Sequence, residues 1–339
     1  MLSLWLGQRM QIDQLKRREF ITLLGYATAW PLAARAQQPT LPVIGFMSTR
    51  SPEDHRDVVT AFRRGLGEGG RIEGKNLIIE FRWAYGHYDR MAALAGELVS
   101  QRVAVLVATG GNPSALAAKA ATSTIPIVFG SGDPIKSGLV ASLNRPGGNA
   151  TGVNIITNDI EPKRLGLLRE LFPGAAPFGV LLNPKFPPAA QQALDITEAA
   201  RTIGRSVVFL NASTDSELDA AFAALPSPRI VAMLVAADPY FDTRRDRIIA
   251  FMAQEKLPAL YHLREHAVAG GLMSYGPSLS EAYREIGIYA ARILNGEKPA
   301  DLPVMQSVKF ELVINLKTAN TLGLTIPPGT LAIADEVIE

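Results

Sequence analysis

The sequence predicts an α/β protein built as two doubly wound, parallel-sheet lobes, and three observations carry that prediction. Short β-rich apolar runs alternate with stretches of helical periodicity. The alternation breaks once at a turn cluster and then resumes, and five of the runs end in small polar residues. A chain of 339 residues has the length of about two ordinary domains.

The first series begins after Pro42. Residues 43–47 form an apolar run of strand length, and Val58, Val59, Phe62 and Leu66 then recur at helical spacing. Residues 77–83 alternate as a strand does, and Met91, Leu94, Ala95 and Leu98 make a second helical stripe. Then come a continuous apolar strand at 103–108, a helix at 115–121 and a strand at 125–129. Such βαβ repetition implies parallel strands with helices on both faces. The rhythm stops at Asn144-Arg145-Pro146-Gly147-Gly148-Asn149, a turn cluster. It resumes with strands at 178–182, 207–210, 230–235 and 258–261, separated by helices at 191–203, 216–224 and 244–254.

The tail is ordered differently. It reads as a strand at 272–275, a long helix at 280–294 with Ser280 as its N-cap, and a strand at 310–315. These elements are too few to enclose a core of their own. They are expected to return to the two earlier units and tie them together, leaving a cleft between.

Composition narrows the function. The chain is 47% hydrophobic and 19% charged with a net charge of +2, and its longest basic run is Lys16-Arg17-Arg18, so nucleic acid is not an expected partner. It has no cysteine, which excludes disulfides, thiolate metal sites, a cysteine nucleophile and the acceptor for a bacterial lipid anchor. Residues 1–36 read as a cleaved export signal. Arg17-Arg18-Glu19-Phe20-Ile21 is a twin-arginine pattern, 20–32 a short apolar stretch, and Ala34-Arg35-Ala36 a small-x-small cleavage site. Paired arginines also suit general secretory export, and Met10 is an alternative start. The mature protein is expected free in the periplasm.

In open α/β sheets ligands bind beyond the carboxyl ends of the strands. Those ends are Ser48-Thr49-Arg50-Ser51-Pro52, Thr109-Gly110-Gly111-Asn112-Pro113, Gly130-Ser131-Gly132-Asp133-Pro134, Asn183-Pro184 and Ala237-Asp238-Pro239-Tyr240. Ser51 and Pro52 read there as an N-cap and a first helical position. Glycines and helix N-termini suit a carboxylate, hydroxyls direct hydrogen bonds, and Asp133 or Asp238 could pair with an ammonium group. The expected ligand is therefore a small zwitterion. Its candidate contacts are Ser48, Thr49, Thr109, Gly111, Asn112, Ser131, Asp133, Asn183 and Asp238. Tyr261 and Tyr275, like Tyr240, lie at or just past strand ends, where they could stack on the ligand side chain or pack the lobes together.

Enzyme signatures are sparse. There is no phosphate-binding G-x-x-x-x-G-K-[ST] and no G-x-S-x-G elbow, and Pro134 interrupts the G-x-G begun at Gly130. No cofactor is expected. His262-Leu263-Arg264-Glu265-His266 satisfies H-x-x-E-H, but it follows a strand and runs quickly into Gly270-Gly271. It reads as a short surface helix, with Tyr261 or His262 at the cleft rim, and no metal is expected there.

Several segments converge on one family. Arg17-Arg18-Glu19-Phe20-Ile21, Ala108-Thr109-Gly110-Gly111-Asn112-Pro113 and Lys163-Arg164-Leu165-Gly166-Leu167-Leu168-Arg169-Glu170-Leu171 contribute. So do Ala237-Asp238-Pro239, Gly270-Gly271-Leu272-Met273-Ser274-Tyr275-Gly276-Pro277-Ser278 and Phe310-Glu311-Leu312-Val313-Ile314-Asn315-Leu316-Lys317. Together they resemble ABC-transporter substrate-binding proteins of the tryptophan/tyrosine-binding type. The resemblance implies a type I periplasmic binding fold with a three-strand hinge and a closing cleft. It implies a first lobe of 41–156 plus 277–300 and a second of 157–276 plus 301–339. It also implies that the Met273-Ser274-Tyr275 segment faces the cleft, in a monomeric receptor without catalytic residues that serves an ABC permease of the inner membrane. Sensing for a signalling partner would use the same cleft.

Overall fold

The continuous apolar runs become central strands because helices cover them on both faces. The computed structural model describes residues 41–157, 160–225 and 229–339, so the expected export segment lies outside the described residues. β1 (Val43–Ser48), β3 (Val105–Thr109), β4 (Ile127–Ser131) and β5 (Ala150–Asn154) are buried, while β2 (Ile78–Trp83) is a half-exposed edge. With β11 (Met305–Gln306) they form an all-parallel sheet in the order β11-β5-β4-β3-β1-β2.

The second sheet takes β6 (Phe178–Leu182), β7 (Val207–Asn211), β8 (Met233–Val235), β9 (Ala259–Tyr261) and β10 (Met273–Pro277). β12 (Phe310–Asn315) and β13 (Glu336–Ile338) complete it, in the order β13-β12-β10-β9-β8-β6-β7. Its pairs are parallel except β10 with β12. Neighbouring residues feed opposite faces. Phe46 packs with Phe62 and Ile286 while Met47 packs with Leu98 and Phe129. In the second sheet Val180 and Leu181 divide in the same way.

The helix Leu279–Leu294 follows a strand of the second sheet yet packs on the first, against the helix Arg56–Glu68. Two glycines permit this. A Cβ on Gly65 would stand 1.9 Å from the Arg284 carbonyl oxygen, and one on Gly287 would stand 2.2 Å from that of Phe62. Among the described residues the chain therefore passes between the sheets three times: after β5, after β10 and between β11 and β12. These passages bond to one another. Ile156 N donates to Ser307 Oγ at 3.1 Å, Ser307 N to the Asn154 carbonyl at 2.9 Å, and Ser278 N to the Lys309 carbonyl at 2.9 Å.

Several expectations shift. Because Met305–Gln306 pairs with β5, the first lobe extends past the expected limit of 300. The long helix begins at Leu279, so Ser278 rather than Ser280 is its N-cap residue, without a side-chain cap bond. After β1 the helix starts only at Arg56, with His55 as N-cap; Ser51 instead donates from its hydroxyl to Asp54. The helix Glu161–Leu171 coincides with a segment the sequence marks only by family resemblance, and β5, β11 and β13 lie outside the expected strands. Among the described residues no helix is long and apolar enough to cross a membrane.

The glycine contact gives a prediction. Gly65→Ala should destabilise the protein by about 1–3 kcal/mol through overpacking against the Arg284 carbonyl. Urea unfolding measures it, and a midpoint equal to wild type would contradict the close approach.

Candidate functional site

The carboxyl ends of β1, β3 and β4 meet those of β6 and β8 around a small cavity of about 50 Å³. Arg50, Gly111, Asn112, Ser131 and Tyr283 line it from the first lobe; Phe186, Asp238, Pro239 and His262 line it from the second.

The first-lobe wall is shaped from beneath. Gly110 has φ +82°, and a Cβ there would stand 2.4 Å from Thr49 Oγ1; only glycine lets that hydroxyl donate to the Gly110 carbonyl at 2.6 Å. The turn leads into the helix Asn112–Ala121, whose N-terminus faces the cavity. Asn112 Oδ1 accepts from Ser131 Oγ at 2.8 Å and from Gly132 N at 3.2 Å, so the amide presents its NH2 group as a donor. Deeper, His55 Nε2 lies 2.8 Å from the Tyr283 hydroxyl and 3.4 Å from Ser48 Oγ. Burial, reinforced by the nearby Arg50 cation, holds the His55 pKa well below its usual value and keeps the ring neutral.

In the second-lobe wall, Asp238 caps the short helix Pro239–Asp242. Its carboxylate accepts from Tyr240 N at 2.7 Å, Phe241 N at 3.3 Å, Asn183 Nδ2 at 3.2 Å and the Tyr88 hydroxyl at 2.9 Å. Burial outweighs these donors and raises its pKa to about 7. Tyr88 belongs to the first lobe, so this bond ties the two lobes together.

A stronger tie lies alongside. Arg50 Nη2 is 2.7 Å from Asp242 Oδ2, with the two side chains only 11% and 4% exposed. Burial opposes ionisation of Asp242, yet Arg50 and then His262 outweigh it and hold the carboxyl well below its usual range. Arg50 Nε is buried without a partner. Behind the cavity, Asp242, His262 and His266 bring three potential metal-ligand atoms within 4.8 Å of one another.

Of the residues expected from sequence, Gly111, Asn112, Ser131 and Asp238 line the cavity. Ser48, Thr49 and Thr109 lie buried beneath it, with Thr109 Oγ1 donating to the Met47 carbonyl at 3.4 Å. Asn183 stands behind Asp238 as its donor. Asp133 adopts φ +42° and faces an adjoining pocket shared with Lys136, Gln191 and Asp195. Four other candidates do not line the cavity. Tyr261 is buried in the second-lobe core and stacks on His266 at 4.9 Å. Met273 and Ser274 are fully buried, and Tyr275 lies over Phe310 with Lys163 above its ring at 4.9 Å. The reason is positional: all four lie within β9 or β10 rather than past their carboxyl ends, so their side chains turn to the faces of the sheet.

Among the cavity residues outside the candidate set are four with polar or aromatic side chains suited to a ligand: Arg50, Phe186, His262 and Tyr283. Arg50 stood in a quoted strand end and His262 at the suspected rim, so a signal existed for both. Phe186 follows Asn183-Pro184 by only two residues. Tyr283 had no local signal, because its helix reaches the site only through tertiary packing.

Comparison with known proteins follows this geometry. The family model for ABC transporter substrate binding proteins matches residues 43–338. A tyrosine-binding protein of Clostridioides difficile (strain R20291) is 28% identical over 265 residues, covering 78% of this chain and 75% of that protein. The crystal structure of an ABC domain in complex with L-Trp from Streptococcus pneumonia superposes with a TM-score of 0.80 at 25% identity, covering 88% of this chain and all of that one. A ligand-free, open substrate-binding protein with adhesive properties from Clostridium difficile gives 0.63, also at 25% identity, over 88% and 99%. The fold is that of type I periplasmic binding proteins.

Asp238 sets a pH dependence. A carboxyl whose pKa is raised to about 7 on folding binds its proton more tightly in the native state. Its contribution is fully present below the unfolded pKa of about 4 and is lost as pH rises through about 7. Urea melts across that range should show wild type losing stability relative to Asp238→Asn as pH rises. Parallel curves would remove the assigned shift.

Proposed function

The chain belongs to the family of ABC transporter substrate-binding proteins, and on that premise we propose that it captures an aromatic amino acid between its lobes for an inner-membrane permease. The observation that carries this reading is a cavity walled by both lobes and containing a buried, unpartnered guanidinium donor, Arg50 Nε. A ligand carboxylate would take that donor together with the Asn112 amide and the N-terminus of the helix behind it. Phe186 and Tyr283 offer aromatic walls for the ligand side chain. The tyrosine-binding and tryptophan-bound relatives support the same ligand class.

Asp238 is the proposed partner of the ammonium group. With its pKa near 7 the carboxyl is poised between its two forms, and an adjacent cation would favour ionisation. Capture needs no cofactor and no covalent step. Closure follows if the ligand touches both walls, because only contacts made in the closed state favour it. The higher TM-score to the L-Trp complex than to the open relative supports a closed arrangement here. Family members work outside the cytoplasmic membrane, which agrees with periplasmic delivery by a signal over 1–36.

Thermal-shift and calorimetric titration with L-tyrosine and L-tryptophan test this directly. A ligand at roughly 100 times its Kd should stabilise the protein by about 2.7 kcal/mol. Flat melting curves and no heat with either amino acid would sink the ligand assignment. Near pH 7, calorimetry in buffers of different ionisation enthalpy should reveal proton release on binding that Asp238→Asn abolishes. Asn112→Ala should weaken binding by about 1–3 kcal/mol, and unchanged affinity would exclude it from the site.

A further inference from the structure

We propose that Asp242, His262 and His266 form a binding site for a divalent transition-metal ion of the zinc class. The H-x-x-E-H segment is part of it, but not as its sequence pattern implies. His262 follows β9 and His266 lies in the short helix Arg264–Val268, so the two rings do not share one helix face. The third donor instead comes from Asp242, at the end of the helix that starts beside the ligand cavity.

The spacing fits. Zinc bonds to imidazole nitrogen and carboxylate oxygen are near 2.0–2.2 Å, so the edge of a tetrahedral site is roughly 3.3 Å. Asp242 Oδ1 lies 3.1 Å from His262 Nε2 and 3.6 Å from His266 Nε2, and the three donors fall within 4.8 Å of one another. All three side chains are buried, and His266 has no hydrogen-bond partner at either ring nitrogen, which burial makes costly. A metal at Nε2 would use the donor atom that the protein leaves idle.

The surroundings also suit an ion. Arg50 engages the other oxygen of Asp242 at 2.7 Å, fixing the carboxylate with Oδ1 towards the imidazoles. Glu265, half-buried and with a buried, unpartnered Oε2, adds a carboxyl beside the site. A small pocket lined by Arg50, Asp54, Asp242, Arg245, Glu265 and His266 adjoins the cluster. Three protein ligands leave a fourth position open, as in zinc sites that hold a water. Because His262 also lines the amino-acid cavity, an ion here would touch that cavity's floor.

The test uses the full chain, stripped with a chelator and free of amino acid, so it is independent of the proposed transport ligand. Equilibrium dialysis against Zn2+ followed by elemental analysis should give one saturable ion per chain. Co2+ in its place should give the intense visible absorption of a tetrahedral nitrogen–oxygen site. His266→Phe, which keeps an aromatic ring against Tyr261, and His262→Gln should each weaken binding at least tenfold and abolish that absorption. If one variant fails to fold, the other decides. No saturable Zn2+, or binding that survives in the folded variants, would overturn the site.

Discussion

Arg50 and Asp242 meet across the two lobes with almost no exposure to water, and much of the site is arranged around that contact. Removing two charges from water costs several kcal/mol per ion, which is recovered only while the partner is in place. Separated, each group returns to solvent; half-separated, each would be buried without compensation. A pair of this kind favours two discrete arrangements over intermediate ones. The Tyr88 hydroxyl on Asp238 and the Arg244 guanidinium on the Tyr85 carbonyl add polar ties along the same boundary.

The electrostatics of the neighbouring groups follow from that pair. Asp242 stays ionised because Arg50 faces it, whereas Asp238, four residues earlier and without a cation, is pushed by burial to a pKa of about 7. His55 is kept neutral by burial and by the same Arg50 charge. In the proposed function one guanidinium therefore serves both the lobe contact, through Nη2, and the ligand carboxylate, through Nε. The passages joining the sheets are hydrogen-bonded side by side, so relative motion of the lobes would be guided rather than free.

Much of this was legible in the sequence. Runs such as Val105–Thr109 and Phe178–Leu182 announce buried strands, and βαβ alternation with one interruption gives two sheets. The strand-end rule found Gly111, Asn112, Ser131 and Asp238, because chain direction in a parallel sheet sends its carboxyl ends to one edge. Met273, Ser274 and Tyr275, taken from the family resemblance, lie within β10 and turn to the faces of the sheet instead. The approach of Tyr283 to the site and of Asp242 to His262 and His266 was invisible for a common reason. Each arises from elements distant in the chain, and no local period or spacing records which helix face meets which sheet.

The central claim is that a small ligand bridges the lobes and holds them together. Small-angle X-ray scattering of the full chain tests it most directly, recorded with and without saturating L-tryptophan or L-tyrosine. The account predicts a smaller radius of gyration on adding the ligand, and an Arg50→Met variant that stays expanded at the same concentration. Saturating binding with no change in radius, or compaction that is unaltered in Arg50→Met, would contradict it.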